Sequence, residues 1–386
     1  MDSREPAALP AHPLPAHPVS HTGPGTLTAW DIPLMLSSAD RPEMDWGHRL
    51  HRSAATGTSI RLRPGAFVQA TSWNSAFNRE RHLTTALSIA MTSKKPPVFA
   101  RETALMLHRL PLNGIPTVVK LRASSVGAAG TTRRSRPDAS KRPLFGERRL
   151  VYPKSWADST EAERPAVSLL IDGEVALRAE DLHLTLADAL PHMTAGSALM
   201  VADAVLSGRR LADDGKHPRT ATPMERREFL GLADLCLTQK AAAAFRRIAQ
   251  FASPLSESPG ESLSRLNIEE LGFQAPELQH EIYDAYGQLL GIVDFWWEEL
   301  RLAGEFDGKK KYTGGASYSG RSIEDVIREE KQRMERMQEE GIRFVRWMWS
   351  DLTSAQRLAE KLTRAGVPRM SDEHRRFNHS LQAQPQ

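Results

Sequence analysis

Two acidic residues, Asp294 and Glu305, each lie inside an otherwise apolar, strand-like run of the sequence. Asp294 belongs to the run 291–297, and Glu305 belongs to the run 302–308, which also contains Asp307. A carboxylate in a run that favours burial is costly unless it is paired or bound to a metal. Neighbouring strands would bring these acids together, and Mg²⁺ prefers oxygen ligands. The sequence therefore predicts a Mg²⁺ (or Mn²⁺) site built from these three acids.

The alternative is that these acids have ordinary structural roles. Asp307 is followed by Gly308, and this dipeptide is typical of a turn. Turn chemistry does not explain Asp294 and Glu305, which lie among Ile, Val, Phe and Trp. A site is favoured for these two acids, because buried carboxylates tend to be paired or metal-bound.

Glu261 is a further acid with two interpretations. Ser258 and Glu261 have the spacing of a capping box, in which the hydroxyl and the carboxylate bond to backbone N–H groups at a helix start. This pattern predicts a helix over 259–271 and gives Glu261 a complete structural role. A catalytic role stays open beside it.

Hydrolysis of a phosphodiester also needs a cation that stabilises the developing charge. Lys309 follows Glu305 closely. Lys331 lies four residues after Ile327 and three before Met334, which predicts that it lies on the buried-facing stripe of a helix over 323–340. Both lysines are candidate catalytic residues. The alternative for Lys331 is a side chain that snorkels to water.

Composition and turn-rich segments divide the chain into five regions. The last globular region reads helix, strand, strand, strand, helix, strand, helix, and its size is normal for a domain. The predicted regions are a disordered Pro/His-rich tail (1–25), an α+β region (26–220), a helical connector (221–257), an α/β module (258–366) and a second disordered tail (367–386).

Within the α+β region, alternation around Pro64-Gly65 predicts a β-hairpin over 60–68, and helical spacing follows over 78–91. The segment 120–149 contains nine basic residues against two acids and is rich in small residues in its middle. We expect an exposed basic loop there. Such a loop either tracks nucleic-acid phosphates or is simply solvated.

The chain has 386 residues, with 40% hydrophobic residues, 25% charged residues and a formal net charge of +4. This composition is ordinary for a soluble globular protein. The single cysteine, Cys236, excludes a disulfide framework within one chain. No run of about 18 apolar residues exists, so we expect no membrane span and a cytoplasmic protein.

The C-terminal residues resemble the PD-(D/E)XK nuclease superfamily, and more closely its very-short-patch-repair-like endonuclease domain, found at the C-terminus of many actinobacterial proteins. The resemblance covers about 258–363 and implies a restriction-endonuclease-like fold. It is carried by Glu261, Leu278-Gln-His280, Val293-Asp294-Phe295, Glu305-Phe-Asp307-Gly308 and Gly341-Ile-Arg-Phe-Val-Arg346.

The resemblance implies that Asp294 and Glu305 are metal ligands, with Asp307 as a third ligand and Glu261 as an outer-shell or ligating acid. Asp307 stands where the superfamily has a lysine, two residues after the glutamate. The cation would then come from Lys309 or Lys331, or the site is inactive.

The N-terminal region resembles the AbiE-type antitoxins of type IV toxin–antitoxin systems. The run 61–68 resembles the basic wing of their winged helix, and the run 104–111 resembles the helix that opens their next domain. This likeness implies a winged-helix remnant, DNA binding and a toxin partner.

Three functions follow as expectations. The first is a DNA-acting, Mg²⁺-dependent endonuclease-like protein. The second is a non-catalytic DNA-binding regulator of the antitoxin kind with a degenerate nuclease module. The third is a plain interaction protein without nucleic acid.

Overall fold

The computed structural model describes residues 20–23, 26–28, 32–37, 45–95, 97–123, 125–134, 137, 139–151, 165–171, 174–211, 218–308 and 323–370. This part of the chain is mixed α/β, as predicted. Lys309 and most of the two predicted tails lie outside it. Where the tails are described, the prediction of disorder is wrong: Ser20–Gly23 is a strand, and Val367 is buried because it packs on the C-terminal core.

The described residues form twelve α-helices. They are α1 (Trp46–Ala55), α2 (Ala70–Ser75), α3 (Asn78–Thr92), α4 (Arg101–Leu107), α5 (Leu182–Ala189), α6 (Ala195–Leu206), α7 (Arg226–Gly231), α8 (Gln239–Phe251), α9 (Pro259–Glu270), α10 (Ile323–Glu339), α11 (Trp349–Leu352) and α12 (Ala355–Ala365).

Seventeen strands are described. They are β1 (Ser20–Gly23), β2 (Thr26–Thr28), β3 (Pro33–Leu36), β4 (Ser59–Arg63), β5 (Ala66–Gln69), β6 (Val98–Phe99), β7 (Val118–Arg122), β8 (Gly130–Thr132), β9 (Gly146–Leu150), β10 (Pro165–Ile171), β11 (Glu174–Glu180), β12 (Arg209–Leu211), β13 (Pro218–Thr220), β14 (Glu277–Tyr283), β15 (Leu289–Trp297), β16 (Leu302–Asp307) and β17 (Arg343–Met348). They form sheets of order β1-β2-β3-β5-β4, β10-β11-β6-β7-β9-β8, β12-β13 and β14-β15-β16-β17.

The chain divides into two compact units. The first comprises residues up to 192 with 210–220 and 231–245, and the second comprises 193–209, 221–230 and the residues from 246 onward. The predicted connector, 221–257, is therefore shared between the two units.

The first unit contains the predicted hairpin, since β4 and β5 pair antiparallel across Pro64-Gly65. Gly65 has a φ of +83°, a conformation that glycine adopts without steric cost. Helix α3 confirms the helical spacing over 78–91. Among the described residues that precede this hairpin there is one helix, α1; the winged-helix remnant stays a prediction.

The segment 120–149 is not the single basic loop that we expected. It contains β7, β8 and β9, and β7 pairs in parallel with β9. Several of its basic side chains are neutralised: Lys120 pairs with Glu102, and Arg122 pairs with Glu180. The prediction is wrong here because these acids lie far away in the sequence.

The second unit contains the predicted succession of helix, three strands, helix, strand and helix, with the short α11 in addition. Strands β14, β15 and β16 are antiparallel, and β17 returns parallel to β16 after α10. One face of this sheet packs a core that includes Phe295 and Trp347, and the other packs Trp296 and Met337. This alternation follows from the period of two along a strand.

Close packing fixes the start of α9 against the sheet. A Cβ atom added to Gly260 would lie 1.9 Å from the ring of Phe306 on β16. Only glycine permits this approach, so the first turn of α9, which carries Glu261, is held beside the end of β16.

Candidate metal and phosphate site

Asp294 and Glu305 are brought together by neighbouring strands, as expected from the sequence. Phe295 pairs with Gly304 in the antiparallel register of β15 and β16, and extending that register by one residue places Asp294 opposite Glu305. Residues opposite each other in an antiparallel pair project to the same face. The Phe306 N–H donates a hydrogen bond to Asp294 Oδ2 at 3.0 Å, so the carboxylate lies against the backbone of β16.

Glu261 combines a capping role with proximity to this pair. Its backbone N–H donates to Ser258 Oγ at 3.2 Å, which confirms the predicted helix cap. Its carboxylate accepts a hydrogen bond of 2.6 Å from the Glu257 N–H, one residue before the cap. Burial, followed by repulsion from Asp294, raises the pKa of Glu261 to about 7. The two acids therefore interact electrostatically.

Two arginines that the sequence did not reveal hold Glu305. Arg333 Nη2 on α10 donates to Glu305 Oε1 at 3.1 Å, and Arg346 Nη2 on β17 donates to Glu305 Oε2. Arg346 pairs directly with Glu305 in the parallel register of β16 and β17. Glu305 is thus paired with Arg346 on β17, and the Asp294 carboxylate on β15 contacts Phe306, the residue after Glu305. Arg346 could have been noticed as a basic residue inside the apolar run 343–348. The sequence does not show which residue of β16 it pairs with.

Lys331 does not lie on the buried face of its helix. Its side chain is 76% exposed and pairs with Glu335 at 3.6 Å. The buried line of α10 instead runs through Arg333 and Met337. At 3.6 residues per turn, Lys331 lies about 120° around the helix from Met337. The prediction of a buried-facing Lys331 is therefore wrong, and Arg333 occupies the inward position.

The remaining predicted residues are Asp307 and Lys309. Asp307 is the half-buried last residue of β16 and pairs in register with Met348. Lys309 lies outside the described residues. The role of each therefore stays a prediction.

Within the part of the chain that the structure describes, no group of three or more His, Cys, Asp or Glu side chains is arranged to hold a metal ion. Proteins usually bind Mg²⁺ through one or two carboxylates together with substrate phosphates and water. The roles of Asp294, Glu305 and Asp307 as metal ligands therefore stay a prediction.

A second cluster of buried charges lies in the first unit. Arg122 donates hydrogen bonds to Glu180 at 2.6 Å and to Asp188 at 2.8 Å, and Arg101 donates to Asp188 at 2.9 Å. The paired guanidinium groups hold the pKa of Asp188 below its usual value despite burial, which acts in the opposite direction. These acids are satisfied by the protein itself, so the cluster is structural.

Two proteins of Mycobacterium tuberculosis resemble part of this chain: the uncharacterized protein MT2308 of strain CDC 1551 / Oshkosh and the uncharacterized protein Rv2248 of strain H37Rv. Each is 29% identical over 216 residues, which cover 52% of this chain and 71% of the relative. No protein-family model and no solved structure matches the chain. None of the helices in the described ranges is long and apolar enough to cross a bilayer.

Proposed function

We propose that residues 258–366 form a restriction-endonuclease-like module that acts on DNA by metal-dependent phosphodiester hydrolysis. The runs that resemble the PD-(D/E)XK superfamily lie on α9, β14, β15 and β16 and lead into β17. The acids of those runs lie on α9 and on the two middle strands of the mixed sheet.

One observation carries the proposal: the Asp294 carboxylate accepts a hydrogen bond from the Phe306 N–H, directly after Glu305, and Glu261 lies close enough to Asp294 for the pKa of Glu261 to rise. Carboxylates gathered in this way repel one another, and a divalent cation relieves the repulsion. Their oxygen atoms are the donor type that Mg²⁺ prefers. Two carboxylates completed by substrate phosphate and water are a usual ligand set for Mg²⁺, so Asp294 and Glu305 are chemically suited to Mg²⁺ or Mn²⁺.

The acidic residues have different proposed roles. Asp294 and Glu305 would hold the ion, with Asp307 as a further oxygen ligand at the end of β16. A bound Mg²⁺ supplies Lewis-acid polarisation of the phosphate and a lower pKa for water. Glu261 can take up a proton near neutral pH, because its pKa is about 7. Lys309 remains the cation proposed from the sequence.

Nicking of supercoiled plasmid by the full-length protein with Mg²⁺ or Mn²⁺ tests this proposal. Asp294→Asn and Glu305→Gln should each lower the nicking rate by at least about 100-fold, since losing even a residue that only orients a metal ligand costs about 10–100-fold. Asp284→Asn and Glu335→Gln are matched controls outside the site and should leave the rate unchanged. No nicking by the wild-type protein, or equal nicking by Asp294→Asn, would contradict hydrolysis at this site.

A second candidate is a non-catalytic DNA-binding regulator of the antitoxin kind. It is favoured by a specific observation: both oxygens of Glu305 are engaged by Arg333 and Arg346. Such pairing neutralises a carboxylate that a metal would otherwise use. In this case the module would bind DNA without cutting it, and a toxin would be the partner protein.

Gel-shift measurements on the DNA upstream of the protein's own gene, repeated at raised salt, test the regulator. A repressor should keep a preference for that sequence as salt weakens its phosphate contacts. Binding that is salt-sensitive and indifferent to sequence would argue against it. A nucleotidyltransferase toxin encoded by the neighbouring gene would support it.

A further inference from the structure

Glu305 is held between two arginines from different elements. Arg333 comes from α10 and also donates to the Ile292 carbonyl at 2.8 Å, whereas Arg346 comes from β17 and also reaches Glu330 at 3.4 Å. Glu305 is only 8% exposed. Each of its oxygens therefore has one guanidinium as a charged partner in a largely water-free position.

This pairing sets up a competition for Glu305. A metal ion that binds Glu305 must displace at least one guanidinium from it. The displaced charge then needs a new anion, because an unpaired charge that is partly buried is costly. The side chains of Arg333 and Arg346 are 28% and 37% exposed, so a ligand from solvent can reach them.

A phosphodiester is the anion that suits these groups. The guanidinium fork binds phosphate oxygens in a bidentate manner, with charge-assisted hydrogen bonds. The protein does not satisfy Arg346 completely: its Nε is buried and has no hydrogen-bond partner among the described residues. Phosphate can thus replace the carboxylate without leaving either arginine unpaired.

We propose that Arg333 and Arg346 are the phosphate-binding cations of this site, and that they exchange Glu305 for a DNA phosphate so that Glu305 becomes free for the metal. This inference rests on the proposed function. Each ligand removes the competitor of the other, so DNA and metal bind with positive cooperativity, and by linkage the coupling factor is the same in both directions.

Paramagnetic broadening by Mn²⁺ tests the exchange without measuring activity. The chain has eight tryptophans, and two of them, Trp296 and Trp347, follow Asp294 and Arg346 closely. Selective ¹⁵N-labelling of tryptophan in the full-length protein gives a simple spectrum whose indole signals report an ion held at this site. The Mn²⁺ titration is made with and without a short DNA duplex. The variant Asp294→Asn/Glu305→Gln, titrated with the same duplex, gives the baseline broadening caused by Mn²⁺ that is bound to the DNA.

DNA should tighten Mn²⁺ binding by the wild-type protein about 5–150-fold, the usual range of coupling between sites. In Arg333→Gln/Arg346→Gln, Mn²⁺ alone should bind more tightly than in the wild type, and the effect of DNA should fall below about 2-fold. Arg336→Gln, on an exposed part of the same helix, should behave as the wild type. Arg333→Lys/Arg346→Lys, which keeps the charges but loses the fork, should give intermediate coupling.

Equal Mn²⁺ affinity with and without DNA, or undiminished coupling in the double glutamine variant, would overturn the exchange while leaving a metal site in place. If Mn²⁺ does not broaden the wild-type signals above the baseline even with DNA, the proposed function fails as well. Dispersed tryptophan signals establish that a variant is folded. If Arg333→Gln/Arg346→Gln is not folded, the coupling measured in Arg333→Lys/Arg346→Lys tests the exchange.

Discussion

Glu305 on β16 is the direct partner of Arg346 on β17, and Arg346 Nη2 donates a hydrogen bond to Glu305 Oε2. On the other side of Glu305, extending the register of β15 and β16 places Asp294 opposite it. Strands β15, β16 and β17 thus bring Asp294, Glu305 and Arg346 close together. Arg346 gives Glu305 a charged partner inside an apolar sheet, and these three residues define the site on which the proposed function rests.

The pairing of Arg346 with Glu305 should contribute measurably to stability. Arg346→Met leaves Glu305 with Arg333 alone, and we expect a loss of about 1–3 kcal/mol in the free energy of unfolding, because a buried acceptor loses a charged donor. Urea unfolding measures the change. In a double-mutant cycle with Glu305→Gln, the two losses should be less than additive. Arg336→Met should stay within about 0.5 kcal/mol of the wild type, and an equal loss there would contradict a specific contact.

Glu261 should make the stability depend on pH. Its pKa is raised from 4.5 to about 7 in the folded protein, so the folded state binds this proton more tightly than the unfolded chain. The free energy of unfolding is therefore not reduced by this group below its unfolded pKa. It falls as pH rises from there towards 7, by up to about 3 kcal/mol. Unfolding free energies of the wild type and Glu261→Gln across this range measure the difference. Parallel pH curves for the two proteins would contradict a raised pKa.

The sequence predicts the local parts of this site better than the long-range ones. The capping pattern at Ser258 located α9, and the apolar runs around Asp294 and Glu305 located β15 and β16, since capping and strand period are local properties. The partners of Glu305 were missed, because Arg346 meets it only through a parallel pairing that crosses a whole helix. Lys331 was placed on the wrong face because apolar spacing alone did not show that a charged arginine occupies the inner line of α10.

The exposed position of Lys331 leads to a contrast with Arg333 on the same helix. Lys331→Gln should leave DNA binding by the site, and any Mg²⁺-dependent nicking, within about 2-fold of the wild type, since its charge is solvated and screened. Arg333→Gln should change both, because this side chain contacts Glu305 directly. Anisotropy of a labelled duplex measures the binding. A larger effect of Lys331→Gln than of Arg333→Gln would contradict the geometry described for α10.

The buried charge cluster of the first unit should be a stability element. Arg122→Met leaves Glu180 without its guanidinium partner and weakens the pairing of Asp188, and we expect a loss of about 3–5 kcal/mol, as for other broken buried ion pairs. Amide hydrogen exchange of peptides covering Glu174–Glu180 (β11) reports this loss locally. Arg148→Met, an exposed arginine of β9, is the matched control. Unchanged exchange in β11 after Arg122→Met would show that the cluster contributes little.

Anomalous diffraction from crystals of the protein grown with Mn²⁺ and a DNA duplex locates the ion and shows which anion the two arginines contact. We expect an anomalous peak coordinated by Asp294 and Glu305, with the guanidinium groups of Arg333 and Arg346 turned to a phosphate of the DNA. The contrary result is a complex that contains both Mn²⁺ and DNA but has no anomalous peak between Asp294 and Glu305. If Glu305 also keeps both arginines in that complex, the proposed exchange and the proposed metal site are contradicted.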